Sequence, residues 1–252
     1  MPLKDRHIAV TGAGSGLGEA VARRLAADGA RVTVIDRAPG AAARVAAETS
    51  GHALVLDVTD PEAGAALDGA MAVQGPLWGL VNCAGIGGAA RILGREGPMA
   101  LETFERTIRV NLVGTFNMMR LAADRMQRNS PGADGARGAI VNTASVAAFD
   151  GQLGQAAYAA SKGGIVSLAL PAARELARFG IRVNTVAPGI FLTPLLAELP
   201  EPVQQGLAAQ IPFPPRLGNP AEFADVVVMC LTNPYLNAEV IRLDGGLRMP
   251  AK

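Results

Sequence analysis

The chain has 252 residues, of which 50% are hydrophobic, 4% aromatic and 18% charged, and its formal net charge is +1. So much apolar surface has to be buried, which excludes disorder, and neither the charge nor any basic run supplies a nucleic-acid footprint. Two cysteines, Cys83 and Cys230, are too few for a disulfide scaffold, and two histidines, His7 and His52, cannot build a histidine-rich metal site.

No apolar run approaches ~18 residues, so no membrane span is expected. The first strand begins within about seven residues, leaving no room for a targeting peptide. A soluble cytoplasmic protein folded as one domain, 1–252, is the expectation.

In chain order, short apolar runs alternate with alanine-rich amphipathic stretches. Residues 7–10 read as a strand that enters a glycine-rich turn and a helix over 17–27. A second strand, 31–35, ends in Asp36, and a helix follows at 41–48. Strands at 53–56 (ending in Asp57) and 77–81 (ending in Asn82) flank a helix at 62–73. A long helix covers 104–126, then come strand 138–143, helix 158–179, and strands 181–186 and 240–243. Strands alternating with helices predict βαβ units and a doubly wound, Rossmann-like parallel sheet with helices on both faces. Two long connections, 85–98 and 128–137, stand out as functional or mobile segments.

Residues 8–18 read IAVTGAGSGLG. The spacing GxGxxG fails because position 17 is Leu. The spacing that holds is Thr11-Gly12-x-x-x-Gly16-x-Gly18, with Ser15 and Leu17 inside it. Glycines there permit a tight turn and close backbone approach, and the following helix N-terminus favours a pyrophosphate. A simple helix-entry turn is the plainer alternative. Asp36, about twenty residues on, suits the adenosine ribose hydroxyls and repels a 2′-phosphate, favouring NAD over NADP. Arg37 pulls the other way, and helix capping is a second role open to Asp36. Asp57-Val58 should flank the adenine, and Asn82-Cys83-Ala84-Gly85 lies beside the same cleft.

Of two tyrosines, Tyr235 sits in a turn-like stretch. Tyr158 stands four residues before Lys162, so both occupy one helix face. A free phenol titrates near 10 and is a poor base at neutral pH; a nearby ammonium and a positive nicotinamide ring would lower it. Ser145, just past a strand, could donate to a substrate oxygen, or be an ordinary loop serine. Asn111 lies inside a helix, where Asn is unfavoured unless its side chain has a partner or the helix bends.

Together these residues resemble the short-chain dehydrogenase/reductase family: the Thr-Gly loop, Asn82-x-Ala84-Gly85, Asn111, Ser145, Tyr158-x-x-x-Lys162 and Pro188-Gly189-x-x-x-Thr193, in the family's order and spanning nearly the whole chain. Longer stretches at 142–176, 188–203, 211–224 and 239–249 resemble its type-2 3-hydroxyacyl-CoA dehydrogenase subfamily, as do the two long connections. The resemblance implies a seven-stranded parallel sheet and an NAD-dependent dehydrogenase acting on 3-hydroxyacyl-CoA, with a hydroxysteroid or other secondary alcohol as the alternative substrate. A fold kept only for non-catalytic binding is a third reading, opposed by the complete Asn–Ser–Tyr–Lys set.

It implies roles as well. Tyr158 transfers the proton, Lys162 binds the nicotinamide ribose, Ser145 orients the substrate oxygen and Asn111 holds a relay water. Gln152 contacts the acyl part, unless it is a surface amide. The Ile190 backbone and Thr193 hold the carboxamide. The proline-rich segment 192–210 reads on its own as a lid-like substrate loop, and the resemblance implies a homotetramer.

Overall fold

The computed structural model describes residues 2–251, with Leu195 described by its backbone alone. In chain order the elements are β1 (His7–Thr11), α1 (Gly16–Ala27), β2 (Arg31–Asp36), α2 (Pro39–Glu48), β3 (His52–Val55), α3 (Ala63–Gln74) and β4 (Leu77–Asn82). A small hairpin, β5 (Leu93–Gly94) and β6 (Gly97–Pro98), precedes α4 (Leu101–Ile108), a π-helical turn (Arg109–Val113) and α5 (Gly114–Met126). Then follow β7 (Gly138–Thr143), α6 (Ala156–Ala177), β8 (Ile181–Pro188), α7 (Pro194–Ala197), α8 (Glu201–Ala208), α9 (Pro220–Thr232) and β9 (Val240–Leu243).

Seven strands form one sheet in the order β3-β2-β1-β4-β7-β8-β9, and every pairing within it is parallel. The expected doubly wound Rossmann-like fold is therefore present. Strand residues alternate between two apolar layers, as a sheet covered on both faces requires. Val10, Val34, Val81 and Val141 face α1, α2 and α9, where Leu25, Val45 and Phe223 pack. Ala9, Ile35, Leu80 and Ile140 face α3, α5 and α6, where Leu67, Met118 and Ala173 pack.

The long helix expected over 104–126 begins at Leu101 and is interrupted by the π turn. Helix α9 begins with a full capping box: the Asn219 side chain accepts from Ala221 N at 2.9 Å, and Glu222 accepts from Asn219 N at 2.7 Å. Proline at its first position fits, since that N–H has no helical partner.

The strand order reverses between β2 and β4, on either side of β1. Doubly wound sheets bind ligands in the crevice that opens at the strand carboxyl ends there. Residues after β8 are held near this edge by a parallel bridge between Phe191 and Gly218. Phe191 in turn meets Phe223 edge-on, at 6.2 Å and 78°. Phe223 is fully buried. Truncating Phe223→Ala should cost about 3–5 kcal/mol, read as a lower denaturant midpoint at an unchanged m-value.

Candidate active site

The crevice is built from the parting of β1 and β4. Thr11, at the end of β1, is buried and its hydroxyl accepts from Cys83 N and Ala84 N, each at 3.1 Å. Thr11 Oγ1 also faces Asn82 Oδ1 at 3.5 Å, and Asn82 Nδ2 donates to Asn142 Oδ1 at 2.9 Å. Thr11 and Asn82, expected as cofactor contacts, thus lie behind the crevice wall and hold it. Asn142, a polar side chain inside a buried strand, is a member of this knot that the sequence reading did not single out.

The glycine loop passes over this knot. A Cβ at Gly12, whose φ is +61°, would lie 2.7 Å from Ala84 Cα, and one at Gly18 would lie 2.3 Å from the Gly12 carbonyl oxygen. Only glycine lets the loop pack this tightly. Ser15 is the N-cap of α1 and makes no side-chain capping bond among the described residues, so the first-turn N–H groups are left for an acceptor in the crevice.

Ser15, Gly16, Leu17, Gly18, Asp36, Arg37, Asp57, Val58, Ala84 and Gly85 line this crevice, whose volume is about 390 Å³. Both Asp36 oxygens accept backbone bonds, from Gly14 N at 2.9 Å and Ala38 N at 3.0 Å. The Asp57 carboxyl is held below its usual range, first by the Thr59 N–H and hydroxyl and more weakly by Arg37 and Arg109. A cradle that a Cβ would fill, an open helix N-terminus and a carboxylate at the second strand's end together fit a dinucleotide.

A second cavity of about 300 Å³ adjoins the first and shares Leu17, Cys83, Gly85, Ile86 and Thr193 with it. Ser145, Tyr158, Lys162, Pro188, Gly189 and Ile190 line it. Ser145 caps a short turn, its Oγ accepting from Ala147 N at 3.1 Å. The hydroxyl proton stays available to the Tyr158 phenol. Lys162 is buried, donates to Thr143 O at 2.8 Å and lies 5.7 Å from the Tyr158 ring centroid.

Burial raises the Tyr158 phenol above its ordinary value, opposed by the Ser145 hydrogen bond. The depression expected from Lys162 is therefore not supplied by the protein groups themselves. Burial also lowers the Lys162 ammonium to about 8. Cys83 is partly buried and its thiol is pushed up to about 11 by burial, which makes it a weak nucleophile.

Asn111 occupies the π turn. Its Nδ2 donates to Ile86 O and Ser161 Oγ, both at 3.0 Å, and its Oδ1 accepts from Ile86 N at 2.8 Å. Ser161 Oγ donates to Tyr158 O at 2.7 Å. The amide thus clamps the loop after β4 to the helix that carries Tyr158. A π turn at this place fits the tendency of such turns to mark functional sites.

Gln152 stands apart from the cavity lining. Its Nε2 donates to Pro250 O at 3.1 Å, and its backbone N–H donates to Gln155 Oε1 at 3.0 Å. Gln155, Leu196 and Met249, none of them singled out from sequence, line the cavity instead. Only Gln155, one turn before Tyr158, carried a usable signal. The segment expected as a lid holds α7 and α8.

The fold and site define a dinucleotide-binding oxidoreductase with a Ser–Tyr–Lys centre. Residues 6–204 match the short chain dehydrogenase family, and the chain belongs to it. It is 50% identical over 252 residues to the 3-hydroxyacyl-CoA dehydrogenase type-2 of Drosophila melanogaster, covering 98% of this chain and 99% of that one. The crystal structure of 3-hydroxyacyl-CoA dehydrogenase type-2 from Mycobacterium avium superposes with a TM-score of 0.94 at 43% identity, covering 98% of this chain and 97% of that one. A 7α-hydroxysteroid dehydrogenase complexed with NADH and 7-oxo glycochenodeoxycholic acid superposes at 0.89 with 28% identity, covering 99% and 97%.

The Lys162 shift has a stability consequence. Its folded pKa of about 8 lies below the unfolded value, so between the two the unfolded chain binds more protons and stability rises with pH. Relative to Lys162→Met, the native chain should gain on the order of 3 kcal/mol as pH rises from 7 to about 10.5, measured by denaturant titration of both chains at each pH.

Proposed function

We propose that the protein is an NAD(H)-dependent 3-hydroxyacyl-CoA dehydrogenase that interconverts 3-hydroxyacyl-CoA and 3-ketoacyl-CoA. The observation that carries this reading is the adjoining pair of cavities, one fitted to a dinucleotide and the other lined by Ser145, Tyr158 and Lys162. The acyl-CoA assignment is supported by the relatives of that name.

The nicotinamide supplies hydride acceptance and return at the substrate's 3-carbon. Ser145, its oxygen already fixed by Ala147 N, donates its proton to the substrate's 3-oxygen and orients it. Tyr158 gives a proton to that oxygen in reduction and takes it in oxidation. Lys162, anchored by Thr143 O, would hold the nicotinamide ribose when the cofactor is bound, and together with the cationic ring would then favour the phenolate. Asn111 fixes the helix turn beneath Tyr158 and lies on the relay side of Lys162. The Ile190 backbone and Thr193 would hold the carboxamide, and Pro188 and Gly189 shape that wall.

Asp36 favours NAD over NADP. Its two oxygens keep lone pairs for the ribose hydroxyls beyond the backbone bonds they accept, and a 2′-phosphate would face its charge. Arg37 lies in the same crevice, within the field of Asp57. For the CoA phosphates, the exposed Arg91 and Arg95 are suited by position. They sit on and beside the hairpin, which Ala90 N ties to Gly154 O at 2.8 Å.

A hydroxysteroid or other secondary alcohol is the second reading, supported by the likeness to the 7α-hydroxysteroid enzyme. A homotetramer is supported by apolar side chains left exposed on α5 and α6, among them Phe116 and Leu170. The two free thiols suit a reducing, cytoplasmic compartment.

The deciding experiment is a kcat/KM panel of acetoacetyl-CoA, a hydroxysteroid and a simple secondary alcohol. Acetoacetyl-CoA should lead, and its failure to oxidise NADH would remove the reading. Tyr158→Phe should lower kcat by about 10²–10⁴-fold while the NADH dissociation constant, read by fluorescence, stays unchanged. Asp36→Ser should shift the NADPH/NADH ratio of kcat/KM upward by on the order of tenfold or more, since a like-charge contact is removed.

A further inference from the structure

The second cavity has a wall that comes from the far end of the chain. Met249 lines it together with Tyr158 and Ser145, although it lies 91 positions beyond Tyr158 in sequence. Residues 245–251 run against the loop that follows Ser145. Leu153 N donates to Ala251 O at 3.0 Å, and the Gln152 amide donates to Pro250 O at 3.1 Å.

One guanidinium ties the two segments together. Arg242, in β9, donates to Asp150 Oδ2 at 2.6 Å, to Asp244 Oδ2 at 2.8 Å and to Leu247 O at 3.0 Å. Its Cζ lies 5.1 Å from the Phe149 ring centroid. The Arg242 and Asp150 side chains are 21% and 20% exposed, so the pair is partly sheltered from solvent. The Asp150 carboxyl is held below its usual range, chiefly by Arg242, and the Met249 backbone N–H contributes as well. Asp150 is therefore bound directly to the arginine and lies near the strap residue that faces the cavity.

We propose that residues 245–251 form a strap that closes the substrate cleft, that Met249 on it determines acyl specificity, and that Arg242 is the positioning residue that latches the strap to the Ser145 loop. This rests on reading the cleft as the acyl-CoA site. The planar fork of Arg242 spans two carboxylates and a carbonyl at once, which fixes the distance between β9 and residue 150. With the latch made, the thioether of Met249 presents a deformable apolar surface to the substrate. With it broken, the Asp150 and Asp244 carboxylates lose their shared cation and the strap loses its register over the loop.

The test uses Arg242→Met, Asp150→Asn and Met249→Ala in the full chain, each assayed with acetoacetyl-CoA and 3-ketodecanoyl-CoA. NADH affinity is measured by fluorescence, and amide hydrogen exchange is followed at Leu153. Arg242→Met and Asp150→Asn should raise the KM for acetoacetyl-CoA by on the order of tenfold with kcat within a few-fold, since substrate positioning and not proton transfer is lost. Both should speed Leu153 exchange and leave the NADH dissociation constant unchanged. Met249→Ala should change the ratio of kcat/KM between the two chain lengths by on the order of tenfold, with Leu153 exchange unaltered.

Unchanged Leu153 exchange in Arg242→Met overturns the latch. Faster exchange with unchanged KM and chain-length ratio overturns the cleft wall. A native enzyme that turns over neither thioester sinks the acyl-CoA reading and the wall with it, while the exchange measurement still decides the latch. Should Arg242→Met fail to fold, Asp150→Asn, which breaks the same ion pair from the other side, carries the same exchange and KM comparison.

Discussion

The hydroxyl of Thr11 sets the geometry on which the site depends. A parallel sheet that winds in two directions has to let its central strands part, and the parting exposes backbone N–H groups at the end of β4. Thr11 Oγ1 takes two of them, Cys83 N and Ala84 N, at a place where water would otherwise have to enter. Cys83 N also reaches the Thr11 carbonyl oxygen at 3.2 Å, so the hydroxyl chiefly spares Ala84 N the roughly 1–3 kcal/mol of a buried N–H without an acceptor, and the shared bonds fix the width of the opening. The glycine loop then lies on the clamped segment, with no room for a Cβ at Gly12 or Gly18. The crevice is therefore as rigid as the sheet beneath it.

The second constraint concerns charge. Lys162 is brought into the protein with a single backbone acceptor, and burial lowers its ammonium to about 8. Burial pushes the Tyr158 phenol the other way, toward its neutral form. Both groups are thus drawn toward neutrality by desolvation, and favouring the phenolate calls for a positive field from outside the pair. A cationic ring held in the adjoining crevice would supply such a field. The π turn serves the same centre from behind, because the Asn111 amide joins the loop at Ile86 to the helix at Ser161. An α-helical turn would rotate that amide away from one of its two targets.

Much of this was legible in sequence because it recurs locally. The strands show as apolar runs, and Asp36, Asp57 and Asn82 show as polar residues at or just past their ends. Tyr158 and Lys162 show as an i, i+4 pair. Thr11 was legible as a motif member but not in its role, since a clamp between β1 and β4 is a contact across 72 positions. The π turn showed only as Asn111 inside a helical stretch, because the apolar pattern of 104–126 does not mark where the extra residue is inserted. Helix α9 was missed, although Asn219, Pro220 and Glu222 form a capping pattern that could have marked its start. Gln152 was placed by family likeness, but its distance of seven residues from Ser145 says nothing of where its amide points. The structure aims it at Pro250 O, and Gln155 reaches the cavity.

The site divides accordingly into a half fixed by the sheet and a half assembled from remote segments. Most of what meets the dinucleotide crevice hangs on the ends of β1, β2, β3 and β4, whose register is locked by the parallel sheet. The substrate half is walled by residue 155, by the segment holding α7 and α8, and by residue 249, three pieces whose mutual positions depend on side-chain bonds and isolated backbone bridges, not on the main sheet. Side chains in the second half can change without disturbing the first, because Tyr158, Lys162 and Ser145 take their anchors from β7 and α6. That separation explains how one proton-transfer centre can serve thioesters in one relative and a steroid in another. It also explains why substrate preference has to be sought in the contacts among those three walls, and not in the motif that carries the chemistry.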